Sequence, residues 1–408
     1  MPKLKNGDIP QVLATEYASY RDGVIRALSL KLADAEHLRS RPLILYDPMA
    51  GTAPLLSLAE RRGYTAYLND LNSIHLFVNA AKTFKSYQMF NKIGPNRLLS
   101  LVCRMASKID QCPRTASVEW IERPVLEKLT LAWRRSEEEE DLTTILIKAI
   151  LKLSIRKFAS FIKTKNPTWL KPGGLRPKIS AEEAFRDAIK RLEAFYQCVY
   201  PRQRKIQGGH IILTDYDASK ESPKCKVDVV MTSPPFCNRV DWDRIYAPEH
   251  FFLNAVGVWH TRTKFLGTTA VRQYSEFDSE FEFVTKRSPY LGKFLTEVQK
   301  RQPKEERGSN YYVKYFTRYF CSLFRVFDVA ASSLGRANAG IYFVVQENTH
   351  RGLRIETNKA LRDFLSKQGF HVRHVREWDR HHMGLQNISR HYRLVSPKQR
   401  EAIWHAVR

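Results

Sequence analysis

The stretch "PLILYDPMAGTAPLLSLAERRGYTAYLND", residues 42 to 70, constrains the fold more than any other part of the chain. Leu43, Ile44 and Leu45 form the short apolar run of a strand covered on both faces. A tight loop follows, and Pro54 stands where the first turn of a helix tolerates proline. The apolar-periodic segment after it ends at Gly63, and "YTAYLND" reads as a second strand. Strand, loop, helix and strand in this order predict a parallel pair joined by a crossover helix.

The alternation continues downstream. "GHIILTDYDA", "KVDVVMTS", "AGIYFVVQE" and "HVRHVREWD" read as strands, and "HYRLVS" as a last one before a short C-terminal helix. "SIHLFVNAAKTF", "YYVKYFTRYFCSLFRVFDVAASSL" and "ETNKALRDFLSKQGF" read as helices, and residues 12 to 37 carry another helical stripe. The fold expected is α/β, a doubly wound Rossmann-like sheet with two insertions. The first, 88–205, is rich in Leu, Ile, Lys, Arg and Glu, with three helical segments, no strand candidate, and "NPTWLKPGGLRPK" as a loop. The second, 258–308, is polar and charged and reads as a long loop. The segments expected are therefore 1–87 (first part of the core), 88–205 (helical insertion), 206–257 (core), 258–308 (loop insertion) and 309–408 (last part of the core).

Charge narrows the partners. Lys and Arg total 67 against 42 acids, a net charge of +25, and such a field draws in polyanions, nucleic acid above all. With 43% hydrophobic residues the chain can bury a core, which excludes wholesale disorder. Six cysteines without CxxC spacing point to a reducing compartment and to no metal site. No apolar leader and no membrane-length apolar run is present, so a cytoplasmic protein without membrane contact is expected. Nothing in the sequence sets an oligomeric state.

In a doubly wound sheet, ligands bind beyond the carboxyl ends of the strands, near the first strand's loop. That loop is "DPMAGTAP", and Asp47, Pro48, Ala50, Gly51 and Thr52 are its candidate cofactor-binding residues. Gly51 permits close backbone approach to a ligand. Asp70, with Leu71 beside it, ends the second strand 23 residues after Asp47, placed to accept both ribose hydroxyls of an adenosine cofactor. Only one glycine of a G-x-G-x-x-G pattern is present, so a pyrophosphate is poorly supported. A nucleoside without phosphates fits better, which points to S-adenosyl-L-methionine.

Further on, "VDVVMTSPPFCNRVDWDRIY", residues 227 to 246, stops an apolar strand on Ser233, Pro234, Pro235 and Phe236. A rigid turn explains the prolines but not the polar and aromatic residues that frame them. With "DPMAGTAP", "NDLN" and "TSPPFCNRVDWDRIY" in this order, the chain resembles the exocyclic-amino DNA methyltransferases of the Ser-Pro-Pro-aromatic type. The likeness covers about 42–84 and 209–396, with Met49, Ala53 and Pro54 standing where the family usually has Phe, Gly and Thr.

The resemblance implies methyl transfer from S-adenosyl-L-methionine to the exocyclic amine of a flipped cytosine in double-stranded DNA. It also implies a place in a restriction-modification or defence system, in which a separate restriction endonuclease is an eligible partner. A nucleobase amine is a poor nucleophile because its lone pair is delocalised into the ring. Ser233 Oγ and the Pro234 carbonyl are the candidate acceptors that localise it, the prolines holding them in place. Phe236 offers a face for the extruded base. Asp215 matches the family's acid near the cofactor's adenine, with Asp217 as its rival. Asn238, Arg239 and Asp241 follow the loop as candidates to position backbone or base. Trp169, Lys171, Arg176, Arg262, Lys264 and Arg272 are candidates for phosphate contact and base stacking. Cys237 stands one residue beyond the place of a covalent cysteine and reads as a packed thiol. The rival readings are adenine-N6 methylation on the same fold, RNA or protein amide methylation, and a DNA-binding relative without catalysis.

Overall fold

The computed structural model of the chain describes residues 41–72, 74–107, 121, 123–136, 141–159, 161–162, 171–172, 179–200, 206–237, 249, 264–268, 271, 275–302, 310–335, 339–380 and 399–408. Strand β1 (Ile44–Asp47), helix α1 (Leu56–Arg62) and strand β2 (Thr65–Asn69) form the first unit. Gly63, at φ 68°, closes α1 in the left-handed conformation, its N–H on the Ala59 carbonyl. Six helices follow: α2 (Ile74–Ala81), α3 (Phe84–Ile93), α4 (Pro95–Ser107), α5 (Arg123–Arg135), α6 (Leu142–Phe158) and α7 (Ala181–Val199). Between α6 and α7 lie the short strands β3 (Phe161–Ile162) and β4 (Lys171–Pro172). Ser180 caps α7 through a reciprocal box with Glu183.

Then come β5 (His210–Thr214), β6 (Val229–Thr232), α8 (Phe277–Arg287), α9 (Pro289–Lys300), α10 (Tyr311–Ser333) and β7 (Gly340–Gln346). The chain continues through β8 (Asn348–His350), β9 (Leu353–Ile355), α11 (Thr357–Lys367), β10 (His371–Arg380) and β11 (Gln399–Val407). The central sheet has seven strands in the order β10-β11-β7-β6-β1-β2-β5. The five from β7 to β5 are parallel, and β11 runs antiparallel to both neighbours. From β1 the chain steps outward through β2 to β5, then returns to lay β6 on the other flank of β1. The direction of winding therefore reverses between β1 and β6, and this class of α/β sheet binds ligands at that point.

Alternate residues of the strands face two different cores, which is why their sequences are apolar throughout. Leu45, Val229, Met231 and Val344 pack with α1, while Tyr46, Val230, Ile341, Phe343 and Val345 pack with α8 to α11. At the amino ends of the strands Asp228 receives both Arg41 guanidinium nitrogens at 3.0 Å and the Ile44 N–H at 2.8 Å. A third core joins α2 to α3–α7. Glu60 of α1 fastens it to the sheet, accepting the Phe84 N–H at 2.7 and 2.9 Å and the Tyr200 hydroxyl.

Three expectations are corrected. Residues 277–300 form α8 and α9 rather than a loop, because Phe277, Phe281 and Val284, then Leu291, Phe294, Leu295 and Val298, recur at helical spacing beneath the charged residues. The 88–205 segment does hold strands, the two-residue pair β3 and β4. The C-terminus is a strand, β11, where the sequence suggested a short helix; ladders to β7 and β10 on both sides override local preference. The stripe at 12–37 and "HYRLVS" lie outside the described residues. No helix among the described residues is long and apolar enough to cross a membrane.

Candidate active site at the strand reversal

Both sequence motifs follow the carboxyl ends of the adjacent parallel strands β1 and β6. Leu45 pairs with Val229 and Tyr46 with Val230, so Asp47 and Thr232 end adjacent strands about 4.8 Å apart. The Asp47 carboxylate is fully buried; Oδ1 accepts the Met49 N–H at 3.1 Å. Burial pushes its pKa up to about 7, against the opposing pull of the Met49 N–H and the neighbouring Thr232 hydroxyl. Pro48, Ala50 and Thr52 are buried, and Gly51, at φ 52°, is half-buried.

Asp70 holds this loop from the end of β2. Its Oδ2 accepts the Gly51 N–H at 2.7 Å and its Oδ1 the Asn72 N–H at 2.8 Å, while burial raises its pKa to about 6. Each carboxylate oxygen keeps a second lone pair for a ligand hydroxyl. Leu71 is half-buried beside it. Ala53 takes φ 51°, the backbone region that glycine favours.

The sequence reading missed three residues that build the crevice. Asn69, buried at the end of β2, donates to the Pro48 and Tyr216 carbonyls, each at 3.1 Å, and accepts from the Thr214 hydroxyl at 3.0 Å. It thereby ties together the carboxyl ends of β1, β2 and β5. Asn79 of α2 and Lys82 just past its end hold the loop, donating to the Gly51 carbonyl at 2.8 Å and the Thr52 carbonyl at 2.9 Å. Polar residues on the buried face of "SIHLFVNAAKTF" were the available signal.

Ser233, Pro235 and Phe236 are half-buried and Pro234 is buried, just past the end of β6. The loop is pinned by Tyr319 of α10, whose buried hydroxyl donates to the Pro235 carbonyl at 2.8 Å. Gly267 packs against the same ring: a Cβ there would lie 3.6 Å from Tyr319. Cys237 is buried in the core, which raises its thiol well above the usual range and disfavours the thiolate a covalent mechanism needs. Asp215 is exposed beyond β5. Asp217 is engaged in its own turn, accepting from the Ser219 N–H at 3.1 Å and hydroxyl at 2.6 Å. Asn238, Arg239, Asp241, Trp169, Arg176, Arg262 and Arg272 lie outside the described residues; Lys171 begins β4 and Lys264 is exposed.

Among the described residues, five buried polar atoms at these strand ends have no hydrogen-bond partner of good geometry: the hydroxyls of Tyr46, Thr52, Tyr216 and Thr232, and Asp47 Oδ2. Tyr216 stands beside Tyr46, as Thr232 does beside Asp47. Among the described residues no group of His, Cys, Asp and Glu is arranged to hold a metal. The fold is that of an α/β protein with a mostly parallel seven-stranded sheet, and the reversal between β1 and β6 is its candidate ligand site. No protein-family model matches the chain, and no curated protein matches it.

Proposed function

We propose that the chain is an S-adenosyl-L-methionine-dependent methyltransferase that acts on the exocyclic amine of a DNA base, cytosine in the first instance. The observation that carries this reading is that the glycine loop and the Ser-Pro-Pro-Phe loop leave the carboxyl ends of the neighbouring parallel strands β1 and β6. The donor set suits the cofactor. The buried Asp47 and the half-buried Asp70 offer two carboxylates to a cationic adenosyl amino acid, and Asp70 retains acceptor capacity for a ribose. When bound, the cofactor supplies an already activated methyl group.

The chain's own residues then have positioning and electrostatic roles. Ser233 Oγ and the Pro234 carbonyl accept the two N–H bonds of the amine, localising its lone pair for in-line attack. Phe236 stacks the extruded base. Tyr319 holds the Pro235 carbonyl, so that the peptide units on either side keep their orientation before substrate arrives. Asp215, rather than Asp217, is available for the adenine side of the cofactor, since Asp217 is committed to its turn. The role in a restriction-modification or defence system, with a separate endonuclease, follows from the resemblance alone.

Labelled cofactor incubated with duplex DNA, RNA and protein, followed by hydrolysis of the DNA to nucleosides and mass spectrometry, tests the substrate class and the base. Transfer to the N4 amine of cytosine is expected; N6-methyladenine as product would move the reading to adenine. Ser233→Ala is expected to lower turnover by about 100-fold while cofactor affinity stays within about twofold. Near-normal turnover in that variant removes Ser233 from the chemistry.

A further inference from the structure

We propose that the β8–β9 hairpin, with Arg351 at its tip and Arg301 beside it, is a contact surface for the phosphate backbone of duplex DNA; this rests on the nucleic-acid reading above. The hairpin rises from the carboxyl end of β7, and β7 runs parallel to β6, with Phe343 opposite Thr232. It therefore stands at the same end of the sheet as the Ser-Pro-Pro-Phe loop.

Helix α10 connects the two. Tyr319 donates to the Pro235 carbonyl, and Tyr312, two turns earlier on the same face, packs its ring 4.3 Å from His350 of the hairpin. Seven residues of helix place these contacts about 10 Å apart along the axis.

The tip concentrates cationic groups. Arg301, at the end of α9, donates to the Arg351 carbonyl, and Arg351 to the Arg301 carbonyl, both at 3.1 Å; both residues are exposed. Two guanidinium groups are thus tethered to one spot. Arg351 and Gly352 take φ 48° and 78°, the geometry of a two-residue hairpin turn, although arginine is disfavoured there. The Arg351 guanidinium also lies 5.3 Å over the Tyr312 ring, giving the mixed basic and aromatic character of nucleic-acid surfaces. Among the described residues, Glu347 pairs with Arg354, Glu356 with Lys359 and Glu297 with Lys300. The base of the hairpin is fixed by Tyr290, whose hydroxyl donates to the Arg354 carbonyl at 3.1 Å and accepts the Glu356 N–H at 2.7 Å.

Anisotropy of a fluorescein-labelled duplex, titrated with full-length protein across a salt series, reads the surface directly. In the double variant Arg301→Gln/Arg351→Gly, glycine keeps the turn, so a loss of binding reports charge rather than unfolding. Affinity is expected to fall at least about tenfold, and the slope of log affinity against log salt to become shallower by about 2. Lys190→Gln, on the exposed face of α7, is expected to change neither. Double-variant affinity within twofold of the parent with an unchanged slope, or an equal loss in Lys190→Gln, overturns the inference. Failure of the methyltransferase reading looks different: duplex binding through the hairpin persists, but no methyl reaches the DNA.

Discussion

Ala53 shows how one residue can depart from a motif while its backbone does not. At φ 51° an alanine pays roughly 1–2 kcal/mol over a glycine. Its methyl is buried against the α1 core, which returns about 0.8 kcal/mol, and alanine loses about 0.5–1 kcal/mol less backbone entropy on folding. The terms nearly cancel, which explains how an alanine holds a backbone conformation that glycine favours. Ala53→Gly is accordingly expected to leave the unfolding free energy from urea titration within about 1 kcal/mol of the parent, by the same magnitudes. Ala53→Val adds a branched side chain in a disfavoured conformation at a buried position and is expected to cost about 2 kcal/mol or more. A large stabilisation by glycine would show that the buried methyl contributes nothing.

At the scale of elements, α10 matters because it is shared. Its inner face carries Phe316, Phe320, Leu323, Phe324 and Phe327 into the main core, and that packing holds Tyr319 against the Pro235 carbonyl. Tyr319→Phe keeps the ring and removes only the hydroxyl, at about 1 kcal/mol of stability. Turnover is expected to fall about tenfold with cofactor affinity unchanged, as measured by single-turnover transfer beside calorimetric cofactor titration. Equal turnover in parent and variant would leave Tyr319 a packing residue only. Helix α2 is shared in the same way. Val78 and Ala81 belong to the core of the 88–205 helices, while Asn79 and Lys82 grip the glycine loop.

The whole molecule carries buried charges that set its response to pH. Lys152 of α6 is buried, its Nζ has no hydrogen-bond partner, and burial lowers its pKa to about 7, against the opposing pull of Glu249. A lysine whose folded pKa is depressed costs nothing above its unfolded value near 10.5; the cost grows as pH falls and is complete below about 7. Lys152→Met is therefore expected to raise the melting temperature at pH 7 and to lose that advantage as pH approaches 10.5. Thermal melts of both proteins from pH 6 to about 10.5 check the sign; a gap that widens with pH would contradict it.

Much of this architecture was legible in the chain's letters. Short apolar runs spaced by amphipathic helices specify strands covered on both faces, and Asp47, Gly51, Asp70 and Ser233–Phe236 stood out because strand ends and proline pairs are local signals. Partners distant in sequence were not legible. Nothing near Pro235 announces Tyr319, 84 residues away, and nothing near Gly51 announces Asn79 and Lys82. The helices α8 and α9 were hidden because their charged faces dominate the composition, and β11 because two ladders, not its own residues, make it a strand. Periodicity and turn chemistry act over a few residues, so sequence alone specifies elements and motif loops. Which strands become neighbours, which polar atoms are left buried without partners, and which helix steadies the site are settled only when distant segments pack together.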